Sequence, residues 1–196
     1  FNSSKSGGEI RQPGVSISGG KVYQNNFQID GIGNNSLLDP AGSNTDQIQE
    51  IVGHPFERSL RSTLIERVQI YDSNIPARFG GFTGGVIDAR IRQPGSEFAG
   101  TLHYRTTRSD WTRLHFSDSD QVAINSGGRS DLQAQFRKET LGATLDLPLT
   151  SNLGLLLNGE ELTSTIPKRL FNGTANTERR QQDGLAKLAW DPNPAD

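Results

Sequence analysis

The 196-residue sequence predicts a mainly β chain whose second half is an antiparallel membrane sheet, and three observations lead there. After Pro94-Gly95, apolar and polar residues alternate with a period of two, which makes a sheet with one apolar and one polar face. The connections between those runs alternate short and long, the asymmetry of an outer-membrane barrel. The longest apolar run, Leu153 to Leu157, falls far short of the roughly 20 residues a spanning helix needs, so a helical membrane protein is excluded.

In chain order, residues 1 to 14 are polar, with Gly7, Gly8 and Pro13, and read as loop. Val15 to Ser18 and Asn26 to Ile29 read as short strands, with a turn at Gly19, Gly20 and Lys21, and Asp30-Gly31 closes the second. Gly33 to Asn44 is rich in Gly, Asn, Ser and Pro and reads as loop. Asp46 can cap a short helix with Ile48, Ile51 and Val52 on one face, ended at His54-Pro55. Ile65 to Tyr71 and Val86 to Ile91 read as strands around a loop holding two glycine pairs, Gly80-Gly81 and Gly84-Gly85. Glycine is wanted where φ is positive or another backbone approaches too closely for a Cβ, so this loop is expected to be tightly crossed.

Four alternating runs follow. Phe98, Gly100, Leu102 and Tyr104 share one face of the first; Leu141, Ala143, Leu145, Leu147 and Leu149 one face of the second. Leu153, Leu155 and Leu157 share a face of the third, with Leu156 opposite, and Ala186, Leu188 and Trp190 a face of the fourth. Thr150 to Asn152 and Asp191 to Asp196 are the short turns; Thr107 to Ser130 and Lys168 to Gln182 are the expected long polar loops. Phe98, Tyr104 and Trp190 stand near strand ends, where aromatic girdles mark bilayer interfaces.

Composition narrows the function classes. With 20 Lys+Arg against 22 Asp+Glu the chain is nearly neutral, which argues against nucleic acid as a partner. There is no cysteine, hence no disulfide framework and no thiolate metal site. His54, His103 and His115 lack metal-ligand spacing, and no metal, cofactor or catalytic constellation is read. Asp118 and Asp120 are two loop acids that could hold calcium or simply be solvated. The GGFTGG run precedes a strand rather than a helix N-terminus and so lacks the geometry of a phosphate cradle. Asn172-Gly173-Thr174 matches a glycosylation sequon, which needs a eukaryotic secretory setting.

Several motifs stand in a telling order. A strand ends in Asp30-Gly31; a later strand reads Glu66-Arg67-Val68-Gln69-Ile70; Phe79-Gly80 follows a variable turn; Gly84-Gly85-Val86-Ile87 opens an Ile-rich strand. In that order and spacing they resemble the second half of the plug domain of TonB-dependent outer-membrane receptors. Gln69 stands where the family has an acid, Phe79 where it has Tyr, and Asp72-Ser73-Asn74 where it has Arg-Gly-Pro. The resemblance covers residues 13 to 94 by motif and 97 to 196 by pattern. It implies a plug domain over 1–94, with its N-terminal part missing, holding a mixed sheet and a short helix. Residues 95–196 then supply about four strands of a barrel of about 22, with the plug in its lumen.

The same resemblance implies active transport of a scarce nutrient, such as a ferric siderophore, across the bacterial outer membrane. It implies as partners TonB with the ExbB-ExbD energy-coupling complex, an extracellular small-molecule, glycan or peptide ligand, and outer-membrane lipid. Asp30, Gly31, Glu66, Arg67, Gly80, Gly84 and Gly85 are then structural plug positions. Lys21, Tyr23, Asn34 and Asn35 at the plug apex, and Trp111 and Arg113 in the first long loop, are the candidate ligand contacts. The family's TonB-contacting segment is not recognisable here, and the chain is expected to be a fragment. A soluble β-rich module binding carbohydrate or another ligand is the alternative, and an extracellular enzyme domain ranks behind it.

Overall fold

Two-residue turns with left-handed backbone organise the first unit of the chain. Asp30 (φ 50°) and Gly31 (φ 76°) are both left-handed, the turn type whose twist matches that of paired strands. They join Asn26–Ile29 (β1) to Ile32–Gly33 (β2), with Ile29 opposite Ile32. Ser18 (φ 52°) and Gly19 (φ 76°) repeat the device, closed by Gly20 N–H donating to the Ile17 carbonyl at 2.9 Å. The strand expected over Val15 to Ser18 is absent: the chain runs irregularly into this turn, and Ile17 is buried as a single apolar anchor.

The computed structural model describes residues 8, 10, 15–38, 56–58, 60–111, 117–125, 135–170 and 173–192. The helix expected near Asp46 lies outside them. By backbone contacts the chain divides into two compact units, Gln12–Gln93 and Phe1–Arg11 with Pro94–Asp196.

In the first unit Ile65–Tyr71 (β3) and Val86–Ile91 (β4) complete a mixed four-stranded sheet, ordered β2-β1-β4-β3. β1 runs parallel to β4, and β3 antiparallel to it. Asn25 ties this sheet together. Fully buried, it donates from Nδ2 to the Val15 carbonyl at 2.7 Å and accepts at Oδ1 from Gly85 N–H at 3.0 Å. Its own carbonyl accepts from Asn35 Nδ2 at 2.7 Å. The two glycine pairs divide their work. A Cβ on Gly84 would strike the Asn25 side chain, and one on Gly85 would lie 2.5 Å from Ile17 Cγ2 and 2.7 Å from the Tyr71 carbonyl. Gly81 takes φ 67°, whereas Gly80 has open space around it, so the first pair makes a turn rather than a close crossing.

The second unit is a four-stranded antiparallel sheet in sequence order: Ala99–Arg108 (β5), Arg137–Thr150 (β6), Leu153–Leu170 (β7) and Gly173–Trp190 (β8). Here two expected loops are corrected. The Thr107–Ser130 stretch contains a 3-10 turn at Ser109–Trp111 and a helix, Asp118–Asn125 (α1). The Lys168–Gln182 stretch is mostly strand, paired from Leu153 opposite Trp190 out to Leu170 opposite Gly173. Apolar alternation marks a strand only where one face meets a non-aqueous medium. Beyond that band β8 carries polar residues on both faces, so Thr177, Glu178 and Arg179 leave no periodic trace although the ladder continues.

The faces of this sheet are inverted relative to a water-soluble one. Register puts Leu102, Leu141, Ala143, Leu145, Leu147, Leu155, Leu157, Ala186, Leu188 and Trp190 on one side. Leu102 is 82% exposed, Leu188 63% and Trp190 68%. The other side carries Asp146, Asn158, Glu160 and Ser164, all buried, with Leu156 among them. Asp146 accepts from Gly95 N–H at 2.9 Å, and Asn158 Nδ2 donates to Thr144 Oγ1 at 2.9 Å. Each large apolar side chain left in water forgoes about 1.5–3 kcal/mol, so a row of them facing outward implies a medium other than water. The run Leu141 to Leu149 is nine residues, within the roughly 9–11 that a tilted strand needs to cross a bilayer.

Candidate functional site

The candidate contacts near the start of the first unit fall into two groups. Lys21 leads into a 3-10 turn, Val22–Gln24, with its N–H donating to Gln24 Oε1 at 2.7 Å. That turn lifts Tyr23 to the surface, where Lys21 Nζ stands 5.8 Å from the ring centroid. Both side chains are exposed and able to meet a ligand. Asn34 and Asn35 are placed differently. Asn34 is 8% exposed, accepts from Arg58 N–H at 3.0 Å and donates to the Arg58 carbonyl at 2.9 Å. Asn35 accepts from Phe27 N–H at 2.6 Å and donates to the Asn25 carbonyl. Their amides mimic backbone and pin the loop after β2 to β1 and to the chain at Phe56, whose ring lies 4.9 Å from that of Phe27.

Beyond β5, Trp111 is 64% exposed, with the Arg108 guanidinium 5.7 Å from its ring centroid. The fork and ring together offer a flat cationic and aromatic surface. Arg108 was not read from the sequence; its signal is the three-residue spacing to Trp111 across a tight turn. Arg113 and His115 lie outside the described residues, as does His54.

The motif positions fall on structural tasks. Asp30 Oδ1 accepts from Ile91 N–H at 3.0 Å, so the Asp-Gly turn also clamps the end of β4. Glu66 sits at a bulge in β3, and Arg67 pairs in register with Arg90. The amides of Thr83, Gly84 and Gly85 are spent on the Gln24 carbonyl and Asn25 Oδ1, so the second half of GGFTGG is occupied within the fold. His103 Nε2 lies 3.3 Å from Glu160 Oε2, over Gly142, on the polar face of the second sheet. Asp118 is exposed at the start of α1. Among the described residues no cluster of His, Asp and Glu has the geometry of a metal site.

At the end of β5 to β8 away from the Ser151 turn, ion pairs border the apolar face. Tyr104 Oη donates to Glu139 Oε1 at 2.6 Å, and Arg137 Nη2 to the same oxygen at 2.8 Å. Arg180 and Gln182 both donate to Glu161 Oε2. Tyr104 thus stands at the border between apolar and charged surface, the station expected of an interfacial aromatic.

No protein-family model matches the chain. A protein of Escherichia coli strain K12 described as uncharacterized protein YddB is 32% identical over 194 residues, covering 93% of this chain and 25% of its own length. The solved structure of the outer-membrane transporter YddB from Escherichia coli superposes with a TM-score of 0.81 at 30% identity, over 97% of this chain and 26% of that one. The chain therefore spans about a quarter of the length of the relatives it matches. It has a mainly β, outer-membrane-transporter-like fold, and its place is the outer membrane.

Proposed function

We propose that the chain is part of a TonB-dependent active transporter for a scarce nutrient, of the ferric siderophore kind. Residues 1–94 belong to its plug and 95–196 to the first strands of its barrel. The observation that carries the reading is the inverted second sheet, apolar outside and polar within, in a chain 30% identical to an outer-membrane transporter. A soluble module would bury those leucines. The candidate ligand contacts are Lys21 and Tyr23 in the first unit and, taken separately, Trp111 and Arg113 in the second. TonB, energised by ExbB-ExbD, then pulls on the plug. The motif order around Asp30-Gly31, Glu66-Arg67 and Gly84-Gly85 supports the TonB-dependent part. The chemistry is gated passage, without bonds made or broken. A part of the plug that opens at lower free energy than the barrel is what makes pulling effective.

Uptake tests this reading. Cells carrying the full-length protein are given labelled ferric siderophores, cobalamin, oligosaccharides and peptides, with and without functional TonB. Accumulation of one class that stops when TonB is removed is the expected result; accumulation indifferent to TonB refutes the energised mechanism. For the transported class, Tyr23→Ala is expected to weaken binding about tenfold, the loss of one exposed aromatic anchor. Isothermal titration on the purified receptor measures it, and unchanged affinity removes Tyr23 from the site.

A further inference from the structure

The chain that enters and leaves the first unit is gripped on both sides by β7. Gly8 and Pro94 both belong to the second unit rather than to Gln12–Gln93. On the entering side Gly8 is buried, and its carbonyl accepts from the Ser164 hydroxyl of β7, a residue only 2% exposed. A Cβ on Gly8 would lie 2.8 Å from Phe136 Cβ and 2.9 Å from Ile166 Cγ1, so the seat is shaped to a glycine. On the leaving side a Cβ on Gly154 of β7 would lie 2.9 Å from Pro94 Cβ. Beside it Gly95 N–H donates to Asp146 Oδ1 of β6 at 2.9 Å. Gly154, Ser164 and Ile166 are spaced by even steps along β7 and share its polar face with Asn158 and Glu160. At strand rise the two grips are about 33 Å apart.

The two grips are unequal. After Gly95 the chain runs within a few residues into β5, so the leaving side continues covalently into the ladder. The entering side is held through side chains, by the Ser164 hydroxyl and by packing against Phe136 and Ile166. Contacts of that kind open locally at lower free energy than a paired strand. We propose that Gly8 and its seat form a latch. Closed, it passes a pull arriving from the N-terminal side into β7 and leaves Gln12–Gln93 unloaded. Open, it exposes that unit to the pull, and Pro94-Gly95 is the end that stays. A pull from the C-terminal side would instead be taken up by β5, which fixes the direction. The inference rests on the transporter reading, which supplies the pull, and adds to it the element that decides when the first unit is loaded.

Single-molecule force spectroscopy on the full-length protein folded in lipid tests the latch. A handle at Ser4→Cys, with any other cysteines replaced, brings the load onto Gly8 first. At constant load the wild type is expected to dwell, to release a short step when Gly8 leaves its seat, and then a long step matching Gln12–Gln93. Ser164→Ala, which removes the hydroxyl and keeps the strand, is expected to shorten the dwell about fivefold, the effect of losing one hydrogen bond. Gly8→Val, which cannot be seated, is expected to abolish the short step. Thr163→Ala, beside Ser164 on the opposite face of β7, is expected to leave the dwell unchanged. Should Gly8→Val not fold, Ser164→Ala decides alone. The latch is overturned by a wild type without the short step, by a long step that precedes the short one, or by an unchanged dwell in folded Ser164→Ala. Equal shortening in Thr163→Ala overturns it as well. TonB-dependent uptake of the wild type alongside any of these outcomes removes the latch and leaves the transporter reading standing. Wild-type uptake indifferent to TonB refutes that reading, and the latch's task with it, whatever the dwell.

Discussion

Leu145→Arg is expected to prevent stable insertion of the sheet, whereas Leu185→Arg is expected to be tolerated. The two leucines look alike in sequence, and register sends them to opposite faces: Leu145 aligns with Leu157 on the apolar side, and Leu185 with Asn158 on the polar side. Leu145 lies midway along the apolar run of β6, where an arginine facing hydrocarbon costs about 2–4 kcal/mol. Domains have only about 5–15 kcal/mol of stability, so a loss of that size is large. On the polar face, beside Asn158 and near Glu160, an added guanidinium meets acceptors, and the change is expected to stay within about 1 kcal/mol. Folding of the full-length variants into lipid vesicles, followed by the shift in gel mobility on heating across a urea series, gives both values. Equal behaviour of the two variants would mean that both faces see water, and the membrane reading of the sheet would fail.

Asn25→Ala is the second large effect, and it acts on the other unit. The substitution leaves the buried Gly85 N–H and the part-buried Val15 carbonyl without their side-chain partners. The orphaned buried amide costs about 1–3 kcal/mol, and the Val15 carbonyl, on an exposed residue, adds less. Asn25→Asp, which keeps the acceptor and loses the donor, is expected to fall between wild type and alanine. Amide hydrogen exchange of the full-length protein reads the outcome locally. Protection over β1 and β4 should fall by orders of magnitude while β6 and β7 keep theirs. Unchanged protection in β1 and β4 would show that the asparagine is dispensable to the sheet.

The reach of sequence reasoning differs between the two units. In the second, the alternation of Leu141 to Leu149 and of Leu153 to Leu157 placed strands and faces correctly, down to Leu156 as the exception within the third run. It failed at the outer ends of β7 and β8, because alternation records a contrast between apolar and polar residues and vanishes where both faces of the strand carry polar ones, as at Thr177, Glu178 and Arg179. It also passed over α1, a helix of eight residues with little apolar periodicity. In the first unit, Asp30-Gly31 and Gly84-Gly85 were legible because left-handed backbone and close approach demand glycine or a small polar residue. The asparagines were legible as important and not as to what they do. A side-chain amide suits a ligand and a backbone mimic equally well, and only the position of Arg58 and Phe27 shows that Asn34 and Asn35 serve the latter.

The amino-acid order by itself determined that this is a β protein with a strand-borne apolar band of bilayer-crossing length, because a period of two is a local property of consecutive side chains. Tertiary structure alone decided which side chains share a row across strands. That pairing sets Gly159 against Gly184, stacks His103 over Gly142 beside Glu160, and commits Asn25, Asn34 and Asn35 to the backbone. Register and long-range hydrogen bonds join residues far apart in the chain, and their energies appear only once the strands have met.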